Sequence, residues 1–284
     1  YPKPAVYDKY GWHPMPYLNQ GEFYSEWGNF DVFITIPKNY VVGATGDYID
    51  GDEEIAWLNI KAELAKEMEL FPRDTTFPPS SSEWKTLHLH QEKVHDFAWF
   101  ADKRYYVVKD EVELPYSKRK VTTWGLFTGA EGKLWRQSAK YTADAVYYYS
   151  LWNGEYPYNH ATAVDGALSA GGGMEYPNIT VIGEMNDARS LDRVIAHEVG
   201  HNWFYGILGS NERDHACMDE GINSFNEGRY MKKKYPNDST QSIINGNFYG
   251  LPINLGKILG VPDLDESTLF DLAYRFSAMK KMDQ

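Results

Sequence analysis

His197-Glu198-Val199-Gly200-His201 sets two imidazoles four residues apart with a carboxylate beside the first, and Glu220 follows after eighteen more residues. On an α-helix, residues four apart differ by about 40° and one turn, so both imidazoles project from one face and can share one ion. Glu198 lies about 100° round from His197, near enough to reach a water on a metal but poorly directed to ligate it. It is the natural general base. Two histidines and one carboxylate form a standard catalytic zinc set that keeps one position open, and Glu220, in Met218-Asp219-Glu220-Gly221, supplies that carboxylate. The His-Glu-x-x-His pattern alone is short enough to recur by chance on a solvated helix face. A Glu placed on a second expected helix is what makes a metal centre the better reading, with one zinc ion per chain.

Two helices must hold these groups. Ser190 is a candidate cap for the first, Asp192 suits its positive end, and Leu191, Val194, Ile195 and Val199 give it an apolar stripe, with Gly206 as its expected stop. Gly200 costs about 1 kcal/mol relative to Ala in a helix interior, which points to close packing or a nearby substrate. The second helix is expected over 219–233, with Lys232, Lys233 and Lys234 at its negative end and Pro236 beyond. Upstream runs Ala170-Gly171-Gly172-Gly173-Met174-Glu175-Tyr176-Pro177. It reads either as a glycine turn or as an exposed strand edge where a ligand backbone can come close and pair.

The remaining chain divides near residue 100. Phe30-Asp31-Val32-Phe33-Ile34-Thr35-Ile36-Pro37 and Thr86-Leu87-His88-Leu89-His90 alternate like half-buried strands, with a Pro- and Ser-rich loop over 71–82 between them. Beyond come strands at 105–108 and 121–127, a helical run over 131–152, and strands at 162–164 and 179–182 before the histidine helix. The expected fold class is α+β, with residues 1–102 the end of a β-rich domain and 103–284 the metal-bearing domain.

Composition sets the surroundings. The chain has 284 residues, 43% hydrophobic and 24% charged, enough for one large or two ordinary domains. A net charge of -12 argues against nucleic acid or an anionic membrane as principal partner and suits a cationic ligand group. No apolar stretch reaches membrane-spanning length. Cys217 is the single cysteine, expected as a small buried side chain, so cysteine usage names no compartment. The chain opens on Tyr1, without an initiator Met or signal peptide, so an upstream segment removed in processing is an open reading. His88, His90 and His95 are read as core or surface polar groups, His215 and Asp214 as a solvated loop, and Tyr147-Tyr148-Tyr149 with Trp152 as helix packing.

Gly172-Gly173-Met174-Glu175, then His197-Glu198 and His201, then Asp219-Glu220-Gly221, resembles in order and spacing the zinc peptidase family of aminopeptidase N and leukotriene hydrolase. The motif-bearing likeness covers about 170–230, and a looser one to bacterial members takes in His13-Pro14-Met15-Pro16-Tyr17 and Val94-His95-Asp96-Phe97-Ala98-Trp99. The resemblance implies a thermolysin-like zinc catalytic domain preceded by part of a β-rich domain. It implies His197, His201 and Glu220 as zinc ligands, Glu198 as base, and Glu227 as a carboxylate behind a ligand, two helical turns past Glu220 and so on its face. It also implies Gly172, Gly173 and Met174 on a substrate-binding edge strand, with Glu175 holding the free N-terminal amine of a peptide. The activity implied is that of a zinc aminopeptidase; another zinc hydrolase on the same scaffold, or a peptide-capturing zinc module without turnover, are the alternatives. Likeness to bacterial members leans toward a periplasmic or secreted protein. Two departures stand out: Tyr176 occupies a position where most members have Asn, and the family's catalytic Tyr-x-Lys is expected past Gln284. Tyr230-Met231-Lys232 falls too early to be that motif, and Tyr249 and Tyr274 lack its context. The chain therefore reads as a fragment, expected to keep zinc and turn over weakly, since one oxyanion donor is worth about 3 kcal/mol.

Overall fold

The structure is a computed structural model that describes residues 5–14, 24–73, 76–166, 168, 172–236, 247–248 and 251–252. In chain order the elements are β1 (Val6–Asp8), β2 (Gly11–His13), β3 (Gly28–Pro37), β4 (Val41–Ala44), β5 (Asp47–Ile49), α1 (Asp52–Glu67), β6 (Trp84–Val94), β7 (Trp99–Asp102), β8 (Tyr106–Glu113) and β9 (Lys120–Phe127). They continue with α2 (Gly132–Trp135), α3 (Ser138–Asn153), β10 (His160–Asp165), β11 (Gly173–Tyr176), β12 (Ile179–Ile182), α4 (Ala188–Gly200), α5 (Glu212–His215), a π-helical turn (Cys217–Gly221), α6 (Ile222–Lys234), β13 (Asn247–Phe248) and β14 (Leu251–Pro252).

The alternation expected before residue 100 is realised in β3 and β6, which pair antiparallel with Phe33 opposite His88. Their inward positions Ile34, Ile36, Leu87 and Leu89 join Val42 and Ala44 in one buried cluster, while Phe33 stacks on His88 on the exposed face. The stretch is not purely β. Helix α1 was not expected, although Asp52, Glu53 and Glu54 load its first turn with negative charge and Leu58, Ala62 and Ala65 recur at helical spacing on its buried side. Burial against β8 decides the matter: Leu58 and Ala62 pack with Val107 from that strand.

The second half is built on a five-stranded mixed sheet in the order β11-β12-β10-β9-β8. Strands β9, β10 and β12 are parallel, and β11 and β8 close the two edges antiparallel. Their near-continuous apolar character, with all four residues of β12 buried, is what a central strand covered on both faces requires. Helix α3 packs on this sheet, and α4 lies against α3 and β12. The single helix expected over 131–152 is broken at Arg136, whose guanidinium reaches the carbonyl of Met68 and, at 3.0 Å, that of Glu69.

The apolar core does not respect residue 102. Val41, Leu58 and Ala98 pack in one cluster with Tyr105, Leu126, Val164 and Ile179. A polar seam runs alongside: Asn178, held at φ +49 in the turn between β11 and β12, accepts from the Gly46 N–H at 3.0 Å and donates to Gln91 at 2.7 Å. Its own N–H donates to the side chain of Asn202 at 3.0 Å, one residue past His201. The turn that aims β11 is thereby tied to the early strands and to the histidine helix together.

Candidate metal centre

Helix α4 is capped three residues earlier than expected. Asp187, not Ser190, caps it, accepting from the N–H groups of Arg189 and Ser190 at 3.0 Å each, while the Ser190 hydroxyl donates to the same carboxylate. A carboxylate at that position answers both the orphan donors and the positive helix end. The helix stops at Gly200, with His201 as its C-cap in αR geometry, and turns replace the continuation expected as far as Gly206. Gly200 has the packing reason its cost implied: a Cβ there would meet Asn223 Oδ1 at 2.0 Å and Tyr149 Cε1 at 2.4 Å. Asn223 in turn donates to the His197 carbonyl at 2.8 Å.

The second helix also differs from its expected start. Glu220 sits in the π-helical turn, and regular α-helix begins at Ile222. The wider turn gives neighbouring side chains separate directions, and both are used. Glu220 Oε2 lies 3.2 Å from His197 Nε2, and Glu220 Oε1 3.8 Å from His201 Nε2. Asp219 instead accepts from His201 Nδ1 at 2.5 Å.

The two Nε2 atoms are 3.2 Å apart. Ligand atoms at about 2.05 Å from a tetrahedral zinc sit about 3.3 Å from each other, so the donor set fits that ion in both type and spacing. One ligand atom from each of His197, His201 and Glu220 falls within 4.8 Å of the others. The far ring nitrogens are held as such ligands require: His197 Nδ1 on Glu227 Oε2 at 3.0 Å, and His201 Nδ1 on Asp219 and the Phe204 carbonyl. Arg193 pairs with the other oxygen of Glu227.

Charge states follow from this wiring. Burial would lower His197, but hydrogen bonds from Glu220 and Glu227 outweigh it and hold the metal-free imidazole up at about 10. Burial would raise Glu220, and the two histidines instead pull it down to about 2. Glu198 goes the other way: burial pushes it above the usual carboxylate range against the pull of His197 and His201. Burial therefore favours the protonated form of this carboxyl more than it would in water.

Strand β11 brings the glycine segment to the same place. It is the sheet edge, with Glu175 opposite Thr180 and Gly173 opposite Ile182. Oxygens of Glu175 and Glu198 and a ring nitrogen of His201 lie within 4.8 Å of one another. A Cβ on Gly173 would stand 2.5 Å from Glu198 Cγ, so glycine is what lets the strand lie against the base. Gly172 adopts φ +71, and the Met174 carbonyl accepts from Thr180 Oγ1 at 2.9 Å. Ala170 and Gly171 of this segment, Met15, Pro16 and Tyr17, and Tyr249 and Tyr274 lie outside the described residues.

Other groups settle into plainer roles. His88 and His90 both face Asp31 at 3.1 Å on the sheet surface. His95 is buried between the Ser25 and Tyr205 carbonyls. Asp214 and His215 are exposed on α5. Tyr149 lies in the main core with Tyr148 and Trp152 packed against it, whereas Tyr147 is exposed and Cys217 is half-buried rather than buried. The Tyr230 hydroxyl donates to Asp192 at 2.7 Å. Sequence reasoning missed Asp219, Arg193 and Asn223. Only Asp219 carried a signal, as an acid directly before the third ligand.

No family model and no curated protein matches this chain. Among solved structures it is similar to an M1 zinc metallopeptidase from Deinococcus radiodurans, with 16% identity over 75% of this chain and 42% of that one, at a TM-score of 0.48. A variant of that protein gives 15% identity, 75% and 43% coverage and a TM-score of 0.49. The same variant described with a Tyr-Ser-Ala substrate gives 14%, 75%, 43% and 0.48. The chain spans less than half the length of these proteins.

Proposed function

We propose that this chain carries the centre of a zinc metallopeptidase that removes residues from peptide amino termini. The observation that supports it most is the 3.2 Å approach of His197 Nε2 to both His201 Nε2 and a Glu220 oxygen, with the buried carboxylates of Glu198 and Glu175 at its side. Zinc held there supplies Lewis acidity toward a carbonyl oxygen and toward water. Glu198 takes the proton from the attacking water and returns one to the leaving amine, which its raised proton affinity suits. Glu175 holds the α-ammonium, so that the scissile bond is counted one residue from the end. The open edge of β11 offers main-chain groups to the peptide backbone.

Zinc-loaded chain assayed on aminoacyl arylamides should release arylamine from free-amine substrates and not from their N-acetyl forms. Glu198→Ala should lower turnover about 10²–10⁴-fold with zinc retained, whereas Glu220→Ala should lose the metal. Stoichiometric zinc without hydrolysis of any free-amine substrate would overturn the exopeptidase reading.

A further inference from the structure

Helix α1 and strand β6 share an arrangement of charge that neither the zinc centre nor the apolar core explains. Trp57 on α1 has two ammonium groups against its ring: Lys61, one helical turn on, at 4.8 Å from the ring centroid, and Lys85 of β6 at 4.2 Å. Only one of the two has a counter-ion. Lys85 Nζ donates to both oxygens of Glu54 at 2.7 and 2.8 Å, with side-chain exposures of 13% and 9% for the pair. Lys61 is half-buried, has no hydrogen-bond acceptor among the described residues, and rests against the indole alone. Its ammonium form therefore gives up water without gaining an acceptor, next to a second positive charge. Burial first and Lys85 second hold the amine below its ordinary 10.5, with Glu54 pulling the other way. Attraction to the ring also favours the charged form, but Lys85 lies closer to that ring.

We infer that Lys61 is a site of covalent acylation, its amine taking the acyl group of a small acyl phosphate. The ammonium first loses one proton to water, and the freed lone pair on Nζ attacks the acyl carbonyl carbon. The nitrogen–carbon bond forms as the carbon–oxygen bond to phosphate breaks. Phosphate leaves with that electron pair, and the nitrogen sheds a second proton to become an amide. An acyl phosphate suits the place because it is small enough to reach a half-buried nitrogen and carries its own leaving group. The product exchanges a desolvated charge for a neutral amide beside Trp57 and ends the repulsion from Lys85. Lys85 is not the target, since its nitrogen must break a two-pronged ion pair with Glu54 before it can offer a lone pair. This site goes beyond the peptidase reading and stands whether or not that reading does.

The test treats the whole chain with limiting acetyl phosphate over a range of pH and reads acetyl occupancy at each lysine by peptide mass spectrometry. Lys38 and Lys120 serve as references. Both side chains are 65% exposed, and each is paired with a glutamate, Glu83 or Glu111, that holds it above 10.5. At about pH 8 Lys61 should acetylate about tenfold or more faster than either, since each unit between two amine pKa values is tenfold in neutral amine. Its rate should also level off at a lower pH than theirs. Lys85→Gln removes the like charge and releases Glu54 toward Lys61, so it should slow the Lys61 reaction; mere loosening of the fold would expose the amine and speed it instead. Occupancy of Lys61 at or below that of Lys38 and Lys120 overturns the inference. So does a Lys61 rate that climbs with pH in parallel with theirs, or one that Lys85→Gln leaves unchanged or raises. If that variant fails to fold, the wild-type pH profile decides by itself.

Discussion

Each histidine of the centre is gripped from behind by an acid on the second helix, Glu227 on His197 and Asp219 on His201. Such partners fix ring orientation and raise ligand basicity, so Glu227→Gln should weaken zinc binding about 10–100-fold, read by competition with a chromogenic chelator. The same grip sets a pH dependence. In the metal-free site the folded-state value of His197 is raised from 6.5 to about 10, so its protonated form stabilises the apo fold fully below 6.5 and that stabilisation is lost as pH rises through about 10. Zinc must displace the proton, so metal affinity should climb as pH rises from 6 to 8, with proton release seen as buffer-dependent calorimetric heat. The grouping of His197, Glu198, His201 and Glu220 was legible because their spacings of one, four and nineteen residues suit two helix faces. Arg193 and Glu227 meet across thirty-four residues, and nothing local marks that pair.

At the level of elements, α4 and α6 are clamped by a buried polar knot. Asp192 accepts from Tyr230 and Tyr235 at 2.7 and 2.5 Å and pairs with Lys234 at 2.7 Å, all three on or just past α6. Asp192→Ala would leave the Tyr230 and Tyr235 hydroxyls without their acceptor, while Lys234 keeps Asp144 at 3.0 Å; removing one partner of a buried hydrogen bond costs about 1–3 kcal/mol. The variant should show a clearly lower urea midpoint while its folded fraction still binds zinc. Gly200→Ala sets two effects against each other: about 1 kcal/mol of helix propensity gained and about 1–3 kcal/mol of overpacking lost. The clash wins here, since Asn223 cannot yield without releasing the His197 carbonyl, and a lower melting temperature should result. Sequence periodicity located the starts of both helices to within three residues but carried the first one on to Gly206, six residues past its end at Gly200. It could not place the π-turn, because the extra residue there is stabilised by the contacts of Asp219 and Glu220 across the fold, not by local propensity.

Across the whole molecule, polar ties join the early strands to the sheet beside the centre. His160 on β10 donates through Nε2 to the Gly46 carbonyl at 2.9 Å, and burial, outweighing the charge of Asp47, keeps it below its ordinary 6.5. The unfolded chain then binds the proton more readily. The contribution of His160 is complete above 6.5 and is lost as pH falls through its folded-state value. Wild-type protein should lose more urea resistance between pH 7.5 and 5.5 than a His160→Gln variant. The β-then-mixed order was legible in the change of periodicity near residue 100, but α1 and the shared core were not, because only packing against β8 and β12 makes them necessary. That shared core bears on how the protein is made. The cluster of Val41 and Leu58 gains Ala98, Tyr105 and Val107 first and is closed only by Val164 and Ile179, so its last members follow Leu58 by more than a hundred residues. At ordinary synthesis rates the wait is on the order of ten seconds, during which that side of the cluster stays open to other apolar surfaces.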